Sequence, residues 1–186
     1  MLNSFFDKYI FTNGLKYTHH NFYLLNLPFV ILPIDIIVGI MQKEDKELNQ
    51  KIYYSIKEAM KNSIRKDFQV DFGAQGELGL EFMGAFFTAS GWGKIETTDT
   101  DMEKCHALVT VTDSPVAANC KNVRAPVDAP LRAVLAGIFS IYFKKDVDCV
   151  EVKCSALNDA HCDFVIKPLA EFNFDNPNTR SQLKVE

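Results

Sequence analysis

Glu151, Cys154 and Cys162 are the side chains of this chain best placed for joint chemistry. A carboxylate and two thiols at the spacing Glu-x2-Cys-x7-Cys make a metal-ligand set, and zinc is the default ion for mixed sulfur and oxygen donors. The three fall in Asp146 to Pro168, DVDCVEVKCSALNDAHCDFVIKP, which also holds Cys149 and so concentrates three of the five cysteines. Val147 to Val152 and Cys162 to Ile166 are rich in Val, Phe and Ile, the composition of strands. Leu157-Asn158-Asp159-Ala160 reads as the turn between them, because Asn and Asp tolerate left-handed backbone and bond to their own main chain. A hairpin closed there brings Cys154 near Cys162.

Side-chain parity sets a condition on that site. Along an extended strand Cys149 and Glu151 share one face, while Val150, Val152 and Cys154 share the other. Glu151 and Cys154 therefore meet one ion only if the strand ends or bulges near Lys153. Were the strand regular, Cys149 or His161 would have to take the place of Glu151. By the same parity His161, next to Cys162, is expected to be exposed.

The hairpin and the helix before it resemble the 4-vinyl-reductase-like domain family. The family motif runs Pro-Val-Cys, a small-residue helix with Ala-Gly, then Glu-x2-Cys-x7-Cys-x-Phe. The matching residues here are Pro126-Val127-Asp128, Ala136-Gly137, Glu151, Cys154, Cys162 and Phe164. The match is close over the last third of the chain and holds elsewhere only in layout. The family comprises small-ligand-binding modules of archaeal proteins and the sensor halves of phenol- and toluene-responsive transcription activators. The resemblance implies four zinc ligands, Asp128, Glu151, Cys154 and Cys162, with Asp128 standing where the family has its first cysteine. Either the carboxylate ligates in the thiolate's stead, or loss of a soft donor weakens the site or changes its metal, iron and manganese included. Asp128 also precedes the helix from Ala129 to Phe143, where a sequence rule alone makes it an N-cap whose carboxylate bonds backbone N–H groups. The family's turn glycine is replaced by Asn158, which adopts the same backbone.

The rest of the chain must position these groups. Its 186 residues, 47% hydrophobic and 24% charged, suit one globular domain with a sizeable core. A net charge of -4 argues against nucleic-acid binding, which needs a basic patch. Five cysteines cannot all pair and the first residues lack a secretory pattern, so reduced thiols in a cytoplasm are expected. The apolar run from Leu24 to Met41 is broken by Asn26, Pro28, Pro33 and Asp35 and does not read as a membrane span.

In chain order the pattern predicts a short amphipathic helix over 2–11, a turn at Asn13-Gly14, and a hairpin of Leu15 to Thr18 with Phe22 to Leu27 around an exposed His19-His20-Asn21. Pro33 opens a helix with Ile34, Ile37, Val38 and Met41 as its stripe, and the charged run from Lys43 to Glu47 is a solvated connection. Leu48, Ile52, Ile56, Ala59, Met60 and Ile64 predict a second helix over 47–68, ended by the glycines of 72–76. A third helix over 77–90 mixes Phe82, Met83, Phe86 and Phe87 with small residues. These four are the candidate lining of a ligand pocket, and core packing is the plainer alternative. Two strands, 92–98 and 105–112, are expected to join through Thr98-Asp99-Thr100-Asp101. Ser114 and Pro115 start a short helix, and Cys105 and Cys120 read as buried structural thiols.

Hairpin, helices, strands, helix and hairpin in that order suggest an α+β domain, an antiparallel sheet backed by a layer of helices. The resemblance implies the same architecture, shared with subunits of the TRAPP trafficking complex, and a homodimer formed through the helices. Residues 1–170 form a single domain on this reading, with the N-terminal hairpin and helices in 1–90 and the motif region in 92–168. Residues 171–186 are a poorly packed tail.

The function expected is an intracellular module that binds a small apolar or aromatic molecule, sensory or regulatory, with zinc as a structural clamp. Four protein ligands leave no open position for a substrate water, and the usual catalytic signatures are missing. Two alternatives stand beside it: a reductase or assembly factor of tetrapyrrole metabolism, for which no nicotinamide or flavin fingerprint is present, and a dimeric adaptor without ligand. The activators' ATPase and helix-turn-helix parts are absent from the sequence, so a signal would pass through a separate partner protein.

Overall fold

The computed structural model describes residues 14–24, 27–63 and 76–184. The expected helix over 2–11, Asn13, the helical residues after Ser63 and most of the glycine loop at 72–76 lie outside them.

Strands β1 (Leu15–Thr18), β2 (Asn21–Leu24) and β3 (Leu27–Phe29) form an antiparallel sheet in that order. His19 and His20 both take positive φ, 48° and 64°, the primed two-residue turn whose twist matches the flanking strands. Pro28, lacking an N–H, sits on the outer strand, where no ladder bond is lost. Helix α1 (Ile34–Met41) turns Val38 and Met41 inward and leaves Ile36 and Ile40 exposed.

Helix α2 (Lys46–Ser63) buries Gln50, Tyr53 and Lys57, one face at i, i+3 and i+7. The aliphatic stripe expected from the sequence lies beside that face, with Ile52, Ile56 and Met60 only half-buried. The polar face wins because partners await it. Gln50 donates to Leu183 O at 2.9 Å, the Tyr53 hydroxyl to Asp148 Oδ1 at 2.8 Å, and Lys57 Nζ to Asp148 Oδ1 at 3.0 Å.

After α3 (Gly76–Ala89), strands β4 (Lys94–Asp101) and β5 (His106–Thr112) pair antiparallel from Lys94↔Thr112 to Asp101↔His106. The turn expected at 98–101 is instead a bulge, the register shifting between Thr97 and Asp99 while Thr98 Oγ1 donates to Leu108 O at 3.1 Å. The turn itself lies at 102–105, where Asp101 Oδ1 accepts from the N–H groups of Glu103 and Lys104, each at 3.0 Å. Ala107, Val109 and Val111 face the core, as the alternation predicts.

Helix α4 (Pro115–Asn119) is capped by Ser114, which accepts from Ala117 N–H at 3.2 Å. Helix α5 (Ala129–Tyr142) is buried on nearly every side, lying between β6 (Asp148–Lys153) and β7 (Cys162–Lys167) beneath it and α2 above. The second sheet runs β4-β5-β7-β6, antiparallel throughout, with α3 against β4. The architecture is the expected α+β arrangement, an antiparallel sheet backed by helices. Among the described residues no helix is long and apolar enough to cross a membrane.

Gly137 marks the crossing of α5 and α2, where an added Cβ would stand 2.7 Å from Met60 Cβ and 3.1 Å from Lys57 O. Overpacking against backbone outweighs the helix propensity gained, so Gly137→Ala is expected to destabilise by about 2 kcal/mol. Gly39, with nothing within 4 Å of its added Cβ, is the control. There Gly→Ala should stabilise by about 0.5–1 kcal/mol, both read from urea midpoints.

The segment after Pro168 is not a loose tail. A 3₁₀ turn (Leu169–Glu171) leads to α6 (Pro177–Gln182), and Phe172, Thr179, Gln182 and Leu183 are buried. Two of these four are polar, which is why hydrophobic patterning missed the packing.

Candidate metal centre

The register of the β6–β7 hairpin builds the centre. Glu151 pairs with Phe164 and Lys153 with Asp163, so Val152 is the extra residue of a bulge and lies 46% exposed. That inserted residue reverses parity, as the sequence argument requires, and puts Glu151 and Cys154 on the same side. Both are fully buried with Cys162, and one ligand atom from each of the three lies within 4.8 Å of the others.

The turn holds the thiols. Residues Ser155–Leu157 form a 3₁₀ turn, Asn158 takes the left-handed conformation at φ 73°, and Cys154 N–H donates to Asp159 Oδ2 at 2.8 Å. Ser155 N–H donates to Cys162 Sγ at 3.3 Å, and the Ser155 hydroxyl lies 3.4 Å from the same sulfur.

Asp128 occupies the N-cap position of α5, yet its carboxylate caps nothing. Oδ2 accepts from the Ser114 hydroxyl at 2.8 Å and lies 3.8 Å from Cys162 Sγ, and the Asp128 N–H donates to Glu151 Oε2 at 3.1 Å. The helix-cap reading is thereby corrected: Ser114 and the hairpin draw the side chain away from the helix and toward the thiols. Asp128 Oδ1 and Glu151 Oε1 are buried and have no hydrogen-bond partner among the described residues.

Burial and mutual repulsion dominate the electrostatics. Burial, then the Cys162 charge, pushes Asp128 up to about 7. Glu151 rises well above the carboxylate range through burial and the neighbouring Asp128. Cys162 is drawn down to about 6, chiefly by a hydrogen bond from the Cys154 thiol, with burial opposing and Ser155 assisting. Making that bond, together with burial, raises Cys154. Without a cation the cluster must keep protons on most of its members. A divalent cation would displace those protons, pair with the charges and engage the two orphan oxygens. Two sulfur and two oxygen donors suit zinc.

His161 and Cys149 stand apart from this cluster. His161 is half-buried and faces Asp163, Nε2 to Oδ1 3.2 Å, and Cys149 is fully buried in the core. Cys105 and Cys120 are buried, and Cys120 is pushed up to about 11 by burial and the nearby carboxyls. Ser114, which serves as α4 cap and Asp128 partner at once, was legible only as the cap. Ser114→Ala should cost about 2 kcal/mol, the upper range for a lost cap, because it also strips Asp128 of its donor. Thermal unfolding checks this.

Of the four candidate pocket residues, Met83 and Phe87 face a gap between α3, β4 and α5, with Ile95, Leu135 and Phe139 on its other walls. Phe86 turns toward Phe29, ring centroids 5.8 Å apart, with Phe82 stacked on it at 6.5 Å. The gap measures about 10 Å³, room for about one water. A larger polar groove, about 600 Å³, opens between α4 and the 155–157 turn, bordered by Ser114, Cys120, Lys121, Ser155 and His161.

Among solved structures, the chain is similar to the phenol-responsive sensory domain of the transcription activator PoxR, crystallised with phenol. The TM-score is 0.74 at 13% identity over 98% of both chains, a shared fold. It also resembles a trafficking protein particle complex subunit 3 from Naegleria fowleri covalently bound to palmitic acid, with TM-score 0.48, 12% identity, 74% of this chain and 82% of that one. A vinyl-4-reductase family protein from Methanocaldococcus jannaschii gives 0.46 at 15% identity over 75% of this chain and 96% of that one. No curated protein matches the sequence. Residues 108–168, from β5 through the metal-type hairpin, match the 4-vinyl-reductase domain, and the chain therefore carries a domain of that family within the fold of a sensory module.

Proposed function

We propose that this chain is a sensory module that binds a small apolar or aromatic molecule between α3, β4 and α5, with zinc held by Asp128, Glu151, Cys154 and Cys162. The observation that carries the reading is the coincidence of a 4-vinyl-reductase-domain segment over the ligand-type hairpin with whole-length similarity to a phenol-responsive domain. Zinc would supply charge neutralisation and a rigid clamp between α5 and the hairpin. Four protein ligands leave no position for a reacting water, so the clamp is structural. The module would act as a homodimer in the cytoplasm and pass its state to a separate partner protein.

The gap of about 10 Å³ is far below the few hundred that an aromatic ligand occupies, so binding requires α3 to move outward. Gly84 on α3 faces the same gap, its added Cβ only 3.5 Å from Ile95 O, so helix and sheet lie close there. That tightness also favours the second reading, a dimeric adaptor without ligand. Thermal unfolding in the presence of phenol, with native mass spectrometry, separates the two. Phenol is expected to raise the melting temperature of the wild type and to leave Met83→Trp, whose indole fills the gap, unmoved. A dimer that carries no small molecule and ignores phenol would leave the adaptor.

A further inference from the structure

Glu151 is gripped from behind by the C-terminal helix. Its N–H donates to Gln182 Oε1 at 2.9 Å, and its carbonyl accepts from Gln182 Nε2 at 2.9 Å and from Asn178 Nδ2 at 3.0 Å. Gln182 Nε2 also donates to Asn178 Oδ1 at 2.7 Å, which fixes the orientation of both amides. Gln182 is itself buried, and Arg132, which donates to Cys149 O at 2.9 Å, reaches the Gln182 carbonyl at 3.5 Å. β6 is the outer strand of its sheet, so no neighbouring strand could make these bonds to Glu151. The grip falls on the last regular residue before the bulge at Val152, the feature that turns Glu151 and Cys154 to one side.

We infer that Gln182, supported by Asn178, is a positioning residue of the metal centre. It pins the main chain of Glu151 so that the carboxylate stays aimed at Cys154 and Cys162, and it ties α6 to the state of the site. The inference rests on the metal reading given above. Backbone held on both its donor and its acceptor cannot rotate its side chain away without breaking two or three hydrogen bonds at once. By linkage, whatever metal gains from the grip, the docking of α6 gains from metal.

The test uses two methionine variants of the whole chain. Gln182→Met keeps the volume and removes the grip. Gln50→Met removes a different anchor of the same segment, the bond to Leu183 O, without touching Glu151. Zinc affinity by chelator competition and the ligand-field bands of the cobalt(II)-substituted protein are the readouts, with hydrogen exchange over 177–183 before and after metal removal. Gln182→Met is expected to weaken zinc about 10- to 100-fold, the range for groups that orient ligands. It should also shift the cobalt bands, while Gln50→Met leaves both as in the wild type. Zinc removal should raise exchange over 177–183 in the wild type.

Wild-type zinc affinity in Gln182→Met, or equal losses in both variants, would overturn the inference and leave the metal reading standing. A wild type that binds neither zinc nor cobalt would overturn both.

Discussion

Cys154→Ser is expected to lose bound zinc and to melt well below the wild type, by more than about 10 °C. A serine hydroxyl does not ionise at neutral pH, so the site loses one of two thiolates while keeping its two buried carboxyls. Structural zinc binding is worth about 10–16 kcal/mol in zinc-finger peptides. In a domain with its own core only part of this appears as stability, and about 4–5 kcal/mol gives the shift above at about 2–4 °C per kcal/mol. Calorimetry with and without chelator, alongside elemental analysis, is the check. Chelation should lower the wild type to the level of the variant and leave the variant unchanged. Cys120→Ser, outside the ligand cluster, should keep its metal. Equal zinc content and equal melting in Cys154→Ser and wild type would remove Cys154 from the site.

Lys57→Met is expected to cost about 3–5 kcal/mol, the usual penalty for stranding a buried charge. The Lys57 and Asp148 side chains are each 3% exposed, with Nζ 3.0 Å from Asp148 Oδ1. Without the ammonium, Asp148 keeps the Tyr53 hydroxyl at 2.8 Å, a neutral donor. Adding Asp148→Asn should recover much of the loss, because the amide carbonyl still accepts from Tyr53 and no charge is left buried. A urea-denaturation double-mutant cycle measures the coupling. Lys61 offers the contrast: its partner Asp146 is 59% exposed, so Lys61→Met should cost no more than about 1 kcal/mol. Near-additive effects of Lys57→Met and Asp148→Asn would mean that the pair contributes little.

Much of the site was legible because local rules and tertiary demands agree there. Glu151, Cys154 and Cys162 announced themselves by type and spacing, and strand parity alone required the bulge found at Val152. Asp128 was harder, since a helix cap and a metal ligand place the same residue at the same position. The choice fell to Ser114, fourteen residues upstream, whose hydroxyl takes the carboxylate. Elsewhere the misses share a cause, a polar group whose partner is distant in sequence. Lys57 and Gln50 face the core because Asp148 and Leu183 meet them there, and no helical period reveals that. Thr98 reads as a turn residue in a Thr-Asp-Thr-Asp run, but its hydroxyl finds Leu108 O across the ladder and the strand continues through a bulge.

The outer margin of β6 has a further consequence, for solubility. An open sheet edge invites another chain to add a strand. Here the outward groups of Cys149 and Glu151 are already taken. Cys149 N–H donates to the Tyr53 hydroxyl at 2.9 Å, its carbonyl accepts from Arg132, and Glu151 is held by Gln182 and Asn178. Side chains from three helices thus stand in for a missing strand without offering one of their own. The opposite margin, β4, is blunted by its bulge and by charges such as the Lys94–Glu96 pair. A chain ending at Asn176 would lose half of the first protection. Light scattering should find it assembling edge to edge under conditions in which the intact chain stays dispersed.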